Sequence, residues 1–346
     1  MIHLALFVIL GVILVAPFSV KRIEEELEIF LFIMGGVTVT ITSQWSAHLI
    51  EEAVMEPIKI AAAVLIAGML FRLFQKSIAK NIERLVRATG LKFFVFSLIV
   101  LLGLLSSMIT AIIAALALVE IIHCLGLERK SMVRLTVIAC FAIGLGAALT
   151  PIGEPLSTIV VSKLKGEPYQ AGFLFLFQQL WHYVFPGVII FAILGAVLIS
   201  GKHRRKDASK SQEAENFKDI FIRALKVYFF VMALIFLGKG FKPIIDTYIS
   251  KMPDAGLFWV NTVSAVLDNA TIAAAEISPA MTILQIKSAL LGLLIAGGML
   301  IPGNIPNIIS AGKLKIKSSE WAKFAVPLGL AAMIICFFLL ELVRMP

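Results

Sequence analysis

Ten apolar runs, at residues 2–20, 28–43, 57–74, 92–122, 134–162, 172–200, 219–238, 257–277, 286–312 and 323–343, fill most of a 346-residue chain. A helix of roughly 20 apolar residues crosses the bilayer core, and most of the runs approach or exceed that length. Only 15% of the residues are charged and the mean hydropathy is +0.97, whereas soluble domains carry roughly 25% charged residues. In water such a chain would expose too much apolar surface. The sequence therefore predicts an all-α polytopic membrane protein. A membrane barrel would need short segments of alternating polarity, and the sequence has none.

The net charge of +9 does not point to nucleic acid, because Lys and Arg fall in short stretches between apolar runs, as membrane topology requires. Stretches 21–27, 72–92, 123–134, 201–223 and 313–323 hold 22 of the 31 Lys and Arg. Placing them in the cytoplasm puts both termini outside and makes 44–56, "QWSAHLIEEAVME", an outer loop. The first run has no basic residue before it and reads as a retained helix in a multi-pass cell-membrane protein, not as a cleaved signal. Cys124, Cys140 and Cys336 form no CxxC or Cys/His pattern, so neither a disulfide nor a zinc site is expected.

Two runs are unsuited to a simple crossing. Run 92–122 is too long for one span and carries "LLSSMIT"; run 257–277 is interrupted by "LDNAT". Reading both as re-entrant hairpins gives residues 57–200 and 219–343 the same order of span, hairpin, broken span and span, with opposite orientation. Inverted-topology repeats of this kind are common in secondary transporters. "TPIGEPLSTIVVSKLK" at 150–165 echoes "LIPGNIPNIISAGKLK" at 300–315, so Gly153 pairs with Gly303. The expected organisation is a helix pair over 1–56 as scaffold, a first repeat over 57–200, a cytoplasmic linker over 201–218 and a second repeat over 219–346.

Backbone that leaves helical geometry inside a membrane must line a cavity or be buried in protein. Freed carbonyls and half-helix ends can then hold ions. Candidate ion- or substrate-binding residues are Asp268, Asn269 and Thr271 at the second hairpin tip, and Ser106, Ser107 and Thr110 at the first. Thr150, Gly153 and Glu154 belong to the first broken helix, and Gly303, Asn304 and Asn307 to the second. Asp268, Asn269, Ser107 and Asn304 would supply oxygens to Na⁺, since hard cations take oxygen ligands. Acids within a membrane usually mark ion or proton pathways, and no Lys or Arg is expected at the depth of Asp268 and Glu154. Arg134 and Lys226 are expected to snorkel, and Glu120 and Glu276 to lie at the interface. Asp268 also suits a helix N-cap and Glu154 a structural acid. His182 reads either as a helix–helix hydrogen bond or as a proton relay.

With these motifs in hand, the chain resembles the ion transporter superfamily, which holds NhaD-type sodium/proton antiporters, ArsB-type carriers and anion/sodium symporters. "AVLDNATIAAA" is similar to that branch's hairpin tip, and "GLGAALTPIGEPLSTIV" and "IAGGMLIPGNIPNIISA" are similar to its broken helices. "LLSSMITAIIAAL" stands where the first tip would be. More narrowly, the chain resembles the DUF1646 putative cation transporters. The resemblance implies two hairpins, a central ion site and a homodimer in lipid. It matches Asp268 and Asn269 to the tip's acid and amide, and Glu154 to the Asp of the family pattern; Ser106 and Ser107 replace the usual first acid and amide. The expected function is Na⁺/H⁺ antiport by competition at an intramembrane carboxylate. Na⁺ or Li⁺ and H⁺ would be the transported ions, with no cofactor and no enzymatic activity. The alternative is Na⁺-coupled symport of a small carboxylate or other anion.

Overall fold

The computed structural model describes residues 2–20, 22–23, 26–199, 217–244, 247–248 and 252–344. Among them, the long regular elements are all α-helical. The expected linker 201–218 lies outside the described residues up to position 216.

Three helices precede the first interrupted run: α1 (Ile2–Ser19), α2 (Leu27–Ile41) and α3 (Ala47–Thr89). α3 is longer than the sequence predicts. It takes in most of the expected outer loop at 44–56 and most of the basic stretch at 72–92. The Ser46 side chain caps its start by accepting from the Leu49 amide, and Gly90, at φ 81°, ends it. Between these caps lie only Pro57 and Gly68 as breakers, and the remaining residues continue the helix regardless of polarity. Its 43 residues span about 65 Å at 1.5 Å per residue, roughly twice the hydrocarbon thickness. The expected boundary at residue 56 thus falls inside a helix.

The first interrupted run forms α4 (Leu91–Ile109) and α5 (Ala111–Leu125), joined at Thr110. Then come α6 (Arg129–Ala147), the short α7 (Pro155–Lys163) and α8 (Phe175–Leu198). After α9 (Phe217–Ile244), the second interrupted run forms α10 (Asp254–Val260), a 3₁₀ turn (Asn261–Ala265) and α11 (Asn269–Glu276). It begins a few residues earlier than the expected 257. The chain closes with α12 (Ile283–Ala296), a 3₁₀ turn (Ile301–Gly303), α13 (Ile305–Leu314) and α14 (Ser318–Arg344).

Close backbone approach organises the packing, as small residues do between membrane helices. α2 lies along α9, where a Cβ on Gly240 would come within 2.2 Å of the Thr38 hydroxyl. α4 lies along α6, where a Cβ on Gly146 would sit 1.6 Å from the Gly103 carbonyl oxygen. α6 is buried over nearly its whole length. The short helices cross between halves of the chain: α5 packs on α13, and α11 on α7. Lys226 does not simply snorkel. It pairs with Glu26 at 2.9 Å and also with Glu28, tying α9 to α2.

Five helices among the described residues are long and apolar enough to cross a membrane: α4, α6, α8, most of α9 and most of α14. The outer faces carry exposed Leu4, Ile66, Leu73, Phe93, Ile190, Val197 and Phe338. A monomer in water does not carry so much apolar surface; lipid-facing helices do. This is the architecture of a helical, multi-pass membrane protein.

Candidate ion site at the helix breaks

Four interruptions of helical backbone meet in the interior. At the first tip, Thr110 takes φ 75° and ψ 148°, and its side chain caps α5 by accepting from the Ile113 amide at 3.3 Å. The first backbone amide of α5, that of Ala111, donates to the Gly153 carbonyl at 2.8 Å. The Thr150 hydroxyl donates to the Ser107 carbonyl at 2.5 Å. Ser106 donates to the Gly103 carbonyl at 2.6 Å and the Ile143 carbonyl at 3.0 Å, and Ser107 to Leu104 at 2.8 Å. Thr150 therefore satisfies a carbonyl in the last turn of α4, Ser106 and Ser107 bond back to the preceding turn, and the first tip is held to the first broken helix.

That broken helix stops at Ala147 and restarts at Pro155, which stands in the first turn where a missing N–H is harmless. The Ser157 hydroxyl returns to the Ala148 carbonyl at 3.1 Å. A Cβ on Gly153 would lie 1.9 Å from the Ala147 carbonyl oxygen, so only glycine fits there. Glu154, the N-cap residue of α7, is buried and makes no capping bond with its side chain. Its carboxylate lies beside Asp268 and Asn269, which come from the other half of the chain. Its Oε1 and the Asn269 amide nitrogen are both buried and have no hydrogen-bond partner among the described residues.

The second broken helix stops at Ala296 and restarts at Ile305. Asn307 donates to two freed carbonyls, Gly297 at 2.8 Å and Leu300 at 2.9 Å, leaving its buried Oδ1 unpartnered among the described residues. Ser264 donates to Leu293 at 3.0 Å, and the Trp321 indole to Gly298 at 3.1 Å. A Cβ on Gly303 would meet the Gly297 and Ser264 carbonyl oxygens at 2.5 and 2.7 Å, and one on Gly297 would meet the Asn269 amide nitrogen at 3.7 Å. Asn304, the N-cap residue of α13, brings its amide nitrogen within 2.9 Å of where a Gly144 Cβ would be. The second break thereby adjoins both the second tip and α6.

The structure thus brings Ser106, Ser107, Thr110, Thr150, Gly153, Glu154, Asp268, Asn269, Gly303, Asn304 and Asn307 into one continuous interior region. Thr271 lies on α11, but its side chain is outside the described residues. His182 is not part of the region: it is exposed on α8 and stacks on Trp181 with ring centroids 3.7 Å apart. No three His, Cys, Asp or Glu side chains cluster as a metal site among the described residues. Any cation here would be held largely by amides, hydroxyls and carbonyls around one acid pair.

The structure adds two facts about charge. Glu120 and Glu276, expected near the membrane interface, are both buried in protein. Glu120 on α5 forms an ion pair with Lys313 on α13, so a buried lysine does exist, within a stretch expected to face the cytoplasm. The two residues are distant in sequence and meet only because α5 packs on α13. A buried charge survives when it is paired. Arg129 reinforces this corner, donating to the carbonyls of Leu314 at 2.9 Å and Lys315 at 2.7 Å while pairing with Glu320. It closes the C-terminus of α13, where a cation also complements the helix dipole.

Sequence reasoning missed Gly103, Gly144, Gly146 and Gly297 as close-approach positions, and Asn261 and Ser264 as polar anchors. The last two did carry a signal: each is a polar side chain within an apolar run.

No curated protein matches the chain. The family model described as "Protein of unknown function (DUF1646)" matches residues 3–343. That match spans nearly the whole sequence, and the chain belongs to the DUF1646 family.

Proposed function

We propose that the protein is a secondary active transporter of a monovalent cation, exchanging Na⁺ or Li⁺ for H⁺ in the cell membrane. The observation that carries the reading is the meeting of Glu154 with Asp268 and Asn269 in a buried region. Two carboxylates so placed cannot both remain charged without compensation. One positive charge, either a proton or a metal ion, lowers the pair's charge from −2 to −1 and removes the repulsion between the two acids. Both ions cannot occupy it together, and that competition produces exchange. Asn269, Asn304 and the carbonyls and hydroxyls of the breaks supply neutral oxygens to the cation. Thr110, Ser106 and Ser107 hold the first tip in place.

The crossing of α5 onto α13 and of α11 onto α7 supports the inverted-repeat reading and, with it, the resemblance to the NhaD/ArsB branch. In that reading, α4–α5 and α10–α11 are the two hairpins, a scaffold containing α1 and α2 forms a homodimer, and both termini face outward. Lys313 is already paired with Glu120, which leaves it unsuited to greeting a free anion.

One observation favours Na⁺-coupled anion symport. The N-termini of α5, α7, α11 and α13 all begin at the breaks, and helix N-termini attract anions. Glu154 and Asp268 already place negative charge at two of them. Liposomes holding the protein and a pH-sensitive dye separate the readings. With an inside-acid gradient, external Na⁺ or Li⁺ drives proton efflux from native vesicles, and Asp268→Asn removes it. Absence of proton movement with Na⁺, Li⁺ or K⁺, together with Na⁺-dependent anion uptake, would replace antiport by symport.

A further inference from the structure

Glu276, at the far end of α11 from Asp268, plays no part in the site described above. It is 3% exposed, and among the described residues its hydrogen-bond partner is Asn261, itself 0% exposed. The Asn261 amide nitrogen donates to Glu276 Oε1 at 2.8 Å and to the Ala289 carbonyl at 3.2 Å. Two acceptors on the nitrogen side fix which way the amide points. This leaves two oxygens, Glu276 Oε2 and Asn261 Oδ1, buried and without a hydrogen-bond partner among the described residues. They belong to side chains already joined by one hydrogen bond.

An ionised carboxylate offers only acceptors, and so does the amide oxygen. Two unpartnered buried acceptors on adjoining groups would repel each other and forfeit hydration. A single proton on Oε2 resolves both problems, since a carboxylic acid can donate to the amide oxygen while its carbonyl accepts from the amide nitrogen. A metal ion fits poorly, because hard cations need about six oxygens and this pocket offers two. The elements packed against α11 are α7, α9, α12 and the 3₁₀ turn at Asn261–Ala265. On α7, the Lys163 ammonium donates to the Ile277 carbonyl at 3.1 Å; α12 carries Lys287 alone; Lys239 and Lys242 are on the last turns of α9. Glu276 Oε2 has no hydrogen-bond partner on any of these elements among the described residues.

We infer that Glu276 is a protonated acid locked to Asn261 in an acid–amide pair, and that it forms a second proton-holding site on α11, separate from Glu154 and Asp268. The site stands whether the transporter is an antiporter or a symporter. Infrared spectroscopy of the reconstituted full chain at neutral pH tests it. Subtracting the Glu276→Gln spectrum from the native one is expected to leave the carbonyl band of a protonated carboxylic acid, shifting down in D₂O. Loss of ionised-carboxylate bands instead would overturn the inference. Glu276→Gln should also retain the native melting temperature, because the new amide repeats the acid's donor and acceptor pattern. Should that variant fail to fold, Asn261→Ala gives an independent answer. Freeing the acid from its partner shifts its carbonyl band up, and an unmoved band would exclude the pairing.

Discussion

The two broken helices restart in almost the same way and then diverge in chemistry. Glu154 takes φ −156° and ψ 160° before α7; Asn304 takes φ −155° and ψ 146° before α13. Both precede a proline in the first turn, both follow a glycine pressed against a carbonyl oxygen, and both sit ahead of a polar residue that bonds back to freed carbonyls. The extended residue, the glycine and the back-bonding side chain are thus requirements of the break itself. The charge is not: one break carries an acid, which finds a second acid from the other half of the chain, and the other carries an amide. Breaking a helix creates an ion-competent backbone, while the acid alone makes the site depend on a compensating positive charge.

The sharpest way to break this comparison is to exchange the charge. Glu154→Gln should reduce cation-dependent proton flux by about 100-fold, corresponding to roughly 3 kcal/mol for a lost buried charge interaction. Asn304→Ser, at the matching position, should reduce it by about tenfold or less, the worth of one neutral hydrogen bond. Equal losses would mean that the acid has no special role. Backbone closeness comes next. Gly153→Ala meets a carbonyl oxygen at 1.9 Å and Gly303→Ala meets one at 2.5 Å. Overpacking on this scale costs about 3 kcal/mol for the first and about 2 kcal/mol for the second, so the first variant should melt at the lower temperature in detergent. A smaller contrast lies in the back-bonding residues. Asn307→Leu removes two hydrogen bonds, leaving the Gly297 carbonyl unpaired while Leu300 still accepts from the Gly303 amide, about 2 kcal/mol, and Ser157→Ala removes one, about 1 kcal/mol; thermal melts in the opposite order would disprove the accounting. The smallest effect is expected at Thr110. Its φ of 75° with ψ 148° is a region suited to glycine, so Thr110→Gly relieves strain but forfeits the cap to Ile113. The two nearly cancel, and its melt should shift by less than about 1 kcal/mol in stability.

Much of this contrast was legible in the sequence because glycine, proline and polar residues stand out in apolar runs. "TPIGEP" and "IPGNIP" marked both breaks, "LLSSMIT" and "LDNAT" marked both tips, and Asp268 and Glu154 were the visible acids. What the sequence could not supply was contact between distant segments. Lys313 read as a loop residue because its partner Glu120 is nearly two hundred positions away. The position of Glu276 near a run's end says nothing of Asn261 beside it. The length of α3 was hidden for a different reason. Polarity marks where lipid ends, whereas helix ends are set by caps and breakers, and Ser46 and Gly90 lie well beyond the apolar part.

The central claim is that one acid pair alternately holds a proton and a metal ion. The most direct measurement is calorimetric titration of Na⁺ or Li⁺ into the detergent-purified chain at two pH values, in buffers of different ionisation enthalpy. Competition predicts weaker binding at the lower pH, proton release to the buffer on binding, and loss of both in Asp268→Asn. Cation binding of equal strength at both pH values, with no proton released, would contradict the account.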